Sequence, residues 1–468
     1  MRIILKKILL TLICAQLCIQ NTTLATTFTV TKTSDHAPIG QTGELRWAIQ
    51  QANVTAGSHQ ILFNIPGTGP FVIEPVSDMD SITSPVVIDG YSQPGATENT
   101  LATGNNAHLQ IVISGKNYTT GDAYYGYGNG LFFDQGSDGS TLKGVVINGW
   151  VNNGLVVYNA NDINILGNFI GTNPTGTAQL ANQTGIYMES SARTVIGSAS
   201  PADRNIIAGS FFFFNNSACV VMNNSPGAII KGNYIGTNAA GTAKLGNSLA
   251  GITCIISNNS VIGGTTAAEK NVVSGHVIVG ISIEVSSNIQ IMGNYIGTNV
   301  NGTSALGNSN IGISINGSGQ TNSSINNIIV NNLISGNYVG IRLGFFSSFG
   351  ANQNIIRNNY IGTDYTGNNA LPNKYGIMIN DNSNTIGGNS VTYRNIISAN
   401  TLGGMLIYGG AKNNVIQNNY IGLNKVGAAL PNKYGIQLGL LGGKGAASIN
   451  NISTNSFGGG NTVKNVYS

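Results

Sequence analysis

The chain has 468 residues, of which only 8% are charged and 64 are glycine; ordinary globular domains carry roughly 25% charged residues. With so little charge the surface must be hydrated by Asn, Ser, Thr and Gly, which suits stacked turns better than helices. The net charge of +4 (21 Lys+Arg against 17 Asp+Glu) falls to about +1 once Arg2, Lys6 and Lys7 of the first 25 residues are set aside, so no basic stripe remains for phosphates and a nucleic-acid partner is excluded.

In chain order, residues 1–25 read as a secretory signal peptide. Arg2, Lys6 and Lys7 form its positive end, Ile8 to Cys18 is an apolar run too short to span a membrane, and Thr23-Leu24-Ala25 is a usable cleavage site. This predicts a secreted, cell-surface or periplasmic protein with no transmembrane segment in the mature chain. Residues 26–105 read as an N-terminal cap with the first coils. Within them the segment GELRWAIQQANVT, residues 43–55, sets Leu45, Ala48, Ile49 and Ala52 at helical spacing. This amphipathic helix suits the apolar end of a stack.

From 106 to 440 one cue recurs. Five copies read Asn-aromatic-Ile-Gly, at Asn168, Asn233, Asn294, Asn359 and Asn419, and four weaker copies fall between them, at Asn205, Asn271, Asn332 and Asn395. Long steps of 37, 38, 38 and 36 residues alternate with short ones of 28, 23, 27 and 24. A period of this size with apolar bursts and Asn/Gly punctuation marks a solenoid. The short step from Asn271 to Gly293 holds three bursts, Val272-Val273, Ile281 to Ile283 and Ile289 to Ile291, separated by turn formers. Three short strands per turn predict a single-stranded right-handed parallel β-helix, because parallel crossovers are right-handed. Roughly twelve coils at ~4.8 Å each give a length of about 60 Å. The nine asparagines then form a structural column at one corner, bonded side chain to side chain.

Each long step adds a turn after Ile-Gly, opened by Asn173, Asn238, Asn299, Asp364 or Asn424 and closed by Gly three residues on. A following Leu (180, 245, 306, 371 or 430) is expected to tuck the loop back, and the five loops are expected to form one row. Residues 441–468 read as a Gly/Asn-rich C-terminal coil or tail. Cys219 and Cys254 fall on neighbouring strands about three positions out of register, which favours two buried thiols over a disulfide.

These repeats resemble a family of secreted bacterial right-handed parallel β-helix repeat proteins. The N-terminal blocks FTVTKTSD, GELRWAIQQAN, ILFNIPGTGPFVI and PVVIDGYSQPGA resemble that family's capping module, and a looser likeness extends to the repeats of chlamydial polymorphic outer-membrane proteins. The resemblance implies the β-helix fold and leaves the chemistry open, because lyases, hydrolases, epimerases, adhesins and tailspikes share it.

Hydrolases and lyases on this fold need grouped carboxylates, yet only seven acids follow residue 140. One grouping emerges from the spacing. Asp138 and Asp162 each lie eight residues after a strand-opening Gly, and Arg193 follows in the next coil, so a column Asp138, Asp162, Arg193 is predicted with Asp134 and Lys143 nearby. It is either a carboxylate or Ca²⁺ site or a solvated charge ladder. Asp78, Asp80 and Asp89 suit turn chemistry in the cap. His36, His59, His108 and His276 share no spacing, so no metal set is predicted, and His276 stands where an Asn is usual. Aromatic clusters at Phe211, Phe212, Phe213 and Phe214, at Phe345, Phe346 and Phe349, and at Tyr124, Tyr125 and Tyr127 are candidate binding surfaces or lids on the core. The reading favoured from sequence is a non-enzymatic, adhesin-like monomer that contacts polysaccharide or a surface protein without a cofactor. The alternatives are a polysaccharide-active lyase, hydrolase or epimerase working at Asp138 and Asp162, with Ca²⁺ if a lyase, and a structural spacer.

Overall fold

The computed structural model describes residues 25–118, 128–209, 217–246, 249–318, 322–344, 350–439 and 450–458, with the backbone of 463–466. Each coil lays down one strand in each of three parallel sheets, which hold fourteen, thirteen and twelve strands. In the coil around Asn271 these strands are Val261–Gly263 in the first sheet, Val272–Val273 in the second and Val279–Glu284 in the third. The chain is a right-handed parallel β-helix, and its third sheet counts twelve strands.

The repeated Asn-Tyr-Ile-Gly cue is explained position by position. Ile296, Ile361 and Ile421 point inward and join one core that runs from Phe28 to Ile436. The Gly after each Ile has a positive φ, +84° at Gly236 and +86° at Gly297. A Cβ on Gly236 would lie 2.1 Å from the Ser274 carbonyl oxygen of the next coil, so only glycine lets the coils close up there. The asparagines turn the corner between the first and second sheets. Each side-chain oxygen accepts the backbone N–H and the side-chain amide of the asparagine one coil earlier, as Asn294 does from Asn271 at 3.2 and 3.0 Å. Each side-chain amide also donates to a carbonyl of the preceding coil, as Asn294 does to Ile262 at 2.9 Å. The column runs from Asn168 past Asn419 to Asn455. Every buried donor that the bend would strand is thereby bonded.

The other two corners carry ladders that the sequence reading did not pick out. Between the second and third sheets, Asn308, Asn337, Asn373, Asn400 and Asn432 link in turn. Between the third and first, Ser191, Ser225, Ser257, Ser286 and Ser324 do the same through their hydroxyls. His276 heads the first of these ladders, through its backbone N–H. It is fully buried, its N–H donates to Asn308 Oδ1 at 3.1 Å, and burial lowers its pKa to about 4.

At the N-terminal end, helix α1 (Leu45–Val54) buries Leu45, Ala48, Ile49 and Ala52 against the first strands. Its Arg46, 3% exposed, makes two 2.8 Å bonds to Asp35 and one of 3.2 Å to Asp80. Cys219 and Cys254 are free and buried. Met222, not Cys219, faces Cys254 across the third sheet, and burial pushes both thiols up. No helix of the described residues is long and apolar enough to cross a membrane.

Candidate functional site

The predicted column forms only in part: Asp162 and Arg193 pair, but Asp138 is out of register with Asp162. Leu131 faces Leu155 in the third sheet, but Thr141 faces Asn164 in the first, so the corner between them is one residue shorter in the later coil. Asp138 therefore lies level with Asn161, whose N–H its carboxylate accepts, and Gly139 lies level with Asp162. Asp162 is paired with Arg193 through bonds of 2.7 and 2.6 Å, both side chains at least half exposed. Its hydrogen bond to Arg193 lowers the Asp162 pKa against a smaller effect of burial. Lys143 points elsewhere, to Asp89 at 3.0 Å, and Asp134 accepts from Gln135 N–H in its own turn. These five residues are an exposed ion pair and separate turn contacts, and such pairs contribute little. Asp78 caps the N–H groups of Gly128 and Asn129, so the cap acids serve local structure too. Among the described residues no group of three or more His, Cys, Asp or Glu could hold a metal ion. The clusters Phe211 to Phe214, Phe345, Phe346 and Phe349, and Tyr124, Tyr125 and Tyr127 lie outside the described residues.

A different site comes from the loops. Each closes on itself by a bond from the Leu backbone N–H to the Gly of Ile-Gly, as Leu306 does to Gly297 at 2.9 Å. Leu245 is buried and Leu306, Leu371 and Leu430 are half-buried, as expected of residues that tuck the loops back, whereas Leu180 is 48% exposed. Successive loops then bond to one another: Ala239 to Gly176, Val300 to Gly241, Tyr365 to Gly302 and Lys425 to Gly367, at 2.8 to 3.0 Å. The resulting row lies over the outer face of the second sheet. It buries Phe169, Tyr234, Ala239 and Val300 in a small second core.

Beside the loop row, the outward tyrosines of the second sheet are capped by cations. Arg204 lies 4.7 Å from the Tyr234 ring centre, Lys270 3.8 Å from Tyr295 and Arg394 3.8 Å from Tyr420. Each cation directly precedes a column asparagine, and each ends a corner enlarged by a short 3₁₀ turn, at Pro201–Asp203, Ala267–Glu269 and Val391–Tyr393. Burial lowers the Lys270 pKa to about 8, and the lysine remains the charged cap at neutral pH.

The pattern breaks once. Before Asn332 the corner has no 3₁₀ turn, and the residue in the cation's place is Asn331, in a left-handed conformation with φ +59°. Among the described residues Tyr360 is left with only Lys425, 5.7 Å away on the following loop. A cleft of about 350 Å³ opens here, walled by Tyr295, Tyr360 and Tyr365, floored by Leu333 and edged by Asn331 and Asn358. Leu333 is 2% exposed and Tyr365 51%. Gly302 admits the loop between Tyr295 and Tyr365, since a Cβ there would lie within 2.9 Å of both. The side chains of Asn331 and Asn358 are exposed and make no hydrogen bond among the described residues. Tyr295 and Tyr360 stand two coils apart, roughly 10 Å by strand spacing. Flat aromatic faces with polar rims, together with spare amide donors and acceptors, match a ligand that has apolar faces and hydroxylated edges. The sequence held a signal for this site: Arg204, Lys270 and Arg394 precede their asparagines, and Asn331 does not.

A second polar group lies on the outer side of the third sheet. Arg342, on strand Val339–Leu343, and Tyr408 are half or more buried, and burial lowers the one pKa and raises the other. Burial likewise raises Asp381, although its Oδ2 accepts from Ala351 N–H at 2.9 Å, the bond a serine makes elsewhere in that ladder. The Asn380 amide between them is buried with neither atom bonded.

No family model and no curated protein matches the chain. Solved structures do, at low identity. The A-module of an Azotobacter vinelandii mannuronan C-5 epimerase is 13% identical over 91% of this chain and 94% of its own, with a TM-score of 0.46. The Dettilon tailspike protein is 16% identical over 87% and 66%, with a TM-score of 0.45. An alginate lyase from Paenibacillus is 14% identical over 93% and 99%, with a TM-score of 0.29. By its own three parallel sheets the chain belongs to the class of parallel β-helix proteins.

Proposed function

We propose that this protein is a secreted or surface-exposed β-helix that binds glycan without turning it over, and that the cleft between Tyr295, Tyr360 and Tyr365 takes the sugar. The observation that carries this reading is the single interruption in the row of cation-capped tyrosines. Tyr234, Tyr295 and Tyr420 each hold a cation at 3.8 to 4.7 Å, whereas Tyr360 has Lys425 at 5.7 Å, which leaves room for a ligand against its ring. A cleft of about 350 Å³ sits at the lower end of the range for small-ligand sites, enough for one or two sugar rings. Residues 1–25, read as a signal peptide, support export.

The test is a printed array of neutral and acidic glycans, alginate and mannuronan included, probed with the mature protein and with Tyr360→Ala/Tyr365→Ala. The reading expects binding to at least one neutral class, lost in the double variant and kept in Tyr158→Ala, a tyrosine at the end of a third-sheet strand. Neutral-glycan binding that survives the double variant would overturn it.

The second reading, a polysaccharide-active enzyme, has one observation in its favour. Arg342, Tyr408 and Asp381 bring a cation, a phenol and a carboxyl pushed up by burial around the unbonded amide of Asn380. Groups of this kind suit proton transfer beside an acidic sugar. Unsaturated product or epimerised residues from alginate or pectate, absent with Arg342→Ala, would establish it.

A further inference from the structure

Charge is sorted along the solenoid. Residues 26–138 hold ten Asp or Glu and three Lys or Arg, whereas residues 382–468 hold six Lys or Arg and neither Asp nor Glu. The six ion pairs among the described residues all lie between Asp35 and Glu269. Beyond that point six described cations rest on aromatic rings instead, Lys270, Arg357, Lys374, Arg394, Lys425 and Lys433. Two of them, Lys374 and Lys433, occupy the corner between the second and third sheets, on the side of the loop row away from the tyrosine cleft.

Lys374 is exposed, with its ammonium 4.8 Å from the centre of the Tyr338 ring, and Tyr338 in turn lies 6.4 Å from Tyr375. Lys433, also exposed, lies 5.6 Å from Tyr434. The two lysines hold matching corner positions two coils apart, since Met405 pairs with both Ile377 and Ile436. At ~4.8 Å per coil they are roughly 10 Å apart along the axis. A shallow groove of about 490 Å³ runs beside Lys374 and Tyr338, with Lys244, Asn308, Ser309 and Thr401 along it.

We infer that this corner is a second binding track, for an acidic polysaccharide whose sugar rings carry carboxylates. The chemistry chooses that occupant. A carboxylated sugar offers a flat face to each tyrosine and an anion to each lysine, and an extended chain repeats both along the axis. A phosphate polymer needs a denser positive field than a chain of net charge near +1 supplies. A protein partner would need anchors in fully desolvated pockets, and here Lys374 and Lys433 stand exposed beside a shallow groove.

The experiment uses the mature chain and two probes, polygalacturonate oligomers and a neutral oligosaccharide found on the array, titrated by calorimetry at low and moderate salt. Lys374→Gln/Lys433→Gln is expected to weaken the polygalacturonate by roughly tenfold or more, at about 1 kcal/mol per lysine near an anionic surface. The salt dependence should become shallower, Lys374→Arg/Lys433→Arg should restore binding, and the neutral ligand should be unaffected. Both lysines are exposed, so an unchanged thermal midpoint verifies folding. Wild-type affinity in the glutamine variant, or tighter binding of single-stranded DNA than of polygalacturonate, overturns the inference. The track stands apart from the cleft. If Tyr360→Ala/Tyr365→Ala fails to change neutral binding while the lysine variant loses the acidic polymer, the cleft reading fails and this one holds.

Discussion

Asn294→Ala removes the side chain from the middle of the asparagine column, and the structure states what is lost. The amide bonds to Ile262 O and Asn332 Oδ1 go, as do the bonds that Asn271 makes to Asn294 Oδ1 from its backbone N–H and its side chain. Four bonds at about 1 kcal/mol net each set the scale. The Asn271 N–H has no other partner among the described residues and would be left buried, a state that by itself costs roughly 1–3 kcal/mol. The expected loss is about 3–5 kcal/mol. Coils contact only their neighbours, so the damage should be local as well as global. Urea unfolding followed by circular dichroism gives the total, and amide exchange gives the location, with Asn271 among the most accelerated sites. A loss under about 1 kcal/mol, or exchange unchanged at Asn271, would refute the view that the column holds the corner.

Other predictions follow from buried groups. His276 is neutral in the fold, its pKa lowered to about 4 from 6.5 by burial. Its contribution is therefore fully present above pH 6.5 and is lost as pH falls toward 4, by about 3 kcal/mol at 1.36 kcal/mol per unit. His276→Asn, which restores the usual ladder residue, should flatten that part of the pH–stability curve; an unchanged slope would contradict the assignment. Cys219 and Cys254 should react with a thiol reagent only after unfolding, since both are buried and unbridged. Rapid modification of the native protein would show the third sheet to be open there. Asp162→Asn should shift stability by no more than ~0.5 kcal/mol and leave glycan binding unchanged, because its partner Arg193 is exposed. A marked loss of either would return the acidic corner to consideration.

The fold was legible because every coil repeats one physical solution. An aliphatic residue points in and Asn turns the corner in all nine copies, and Gly171, Gly236, Gly297 and Gly362 stand where a Cβ would strike the next coil. The three bursts after Asn271 became strands Val272–Val273, Val279–Glu284 and Gln290–Met292. The site was less legible because it depends on register and on an absence. Counting from the strand-opening glycines, Gly130 and Gly154, eight residues before Asp138 and Asp162, held through the third sheet and slipped by one residue at the next corner, which put Asp138 out of register with Asp162. The ladder of Ser191, Ser225, Ser257 and Ser286 was hidden among serines that look like ordinary turn residues. The tyrosine cleft appears only when Arg204, Lys270 and Arg394 are known to reach the next coil, so that Asn331 reads as a gap.

That gap also provides the most direct measurement. Replacing Asn331 with Gly264–Lys270, the seven-residue segment from an enlarged corner, should give Tyr360 the cation that Tyr295 has. The added cation–π contact should offset part of the cost of the insertion, by roughly 0.5–2 kcal/mol. Titrated beside the wild type with a glycan that the array identifies, the grafted protein should stay folded and bind at least tenfold more weakly. A grafted protein that folds, closes the cleft and still binds that glycan with wild-type affinity would contradict the account.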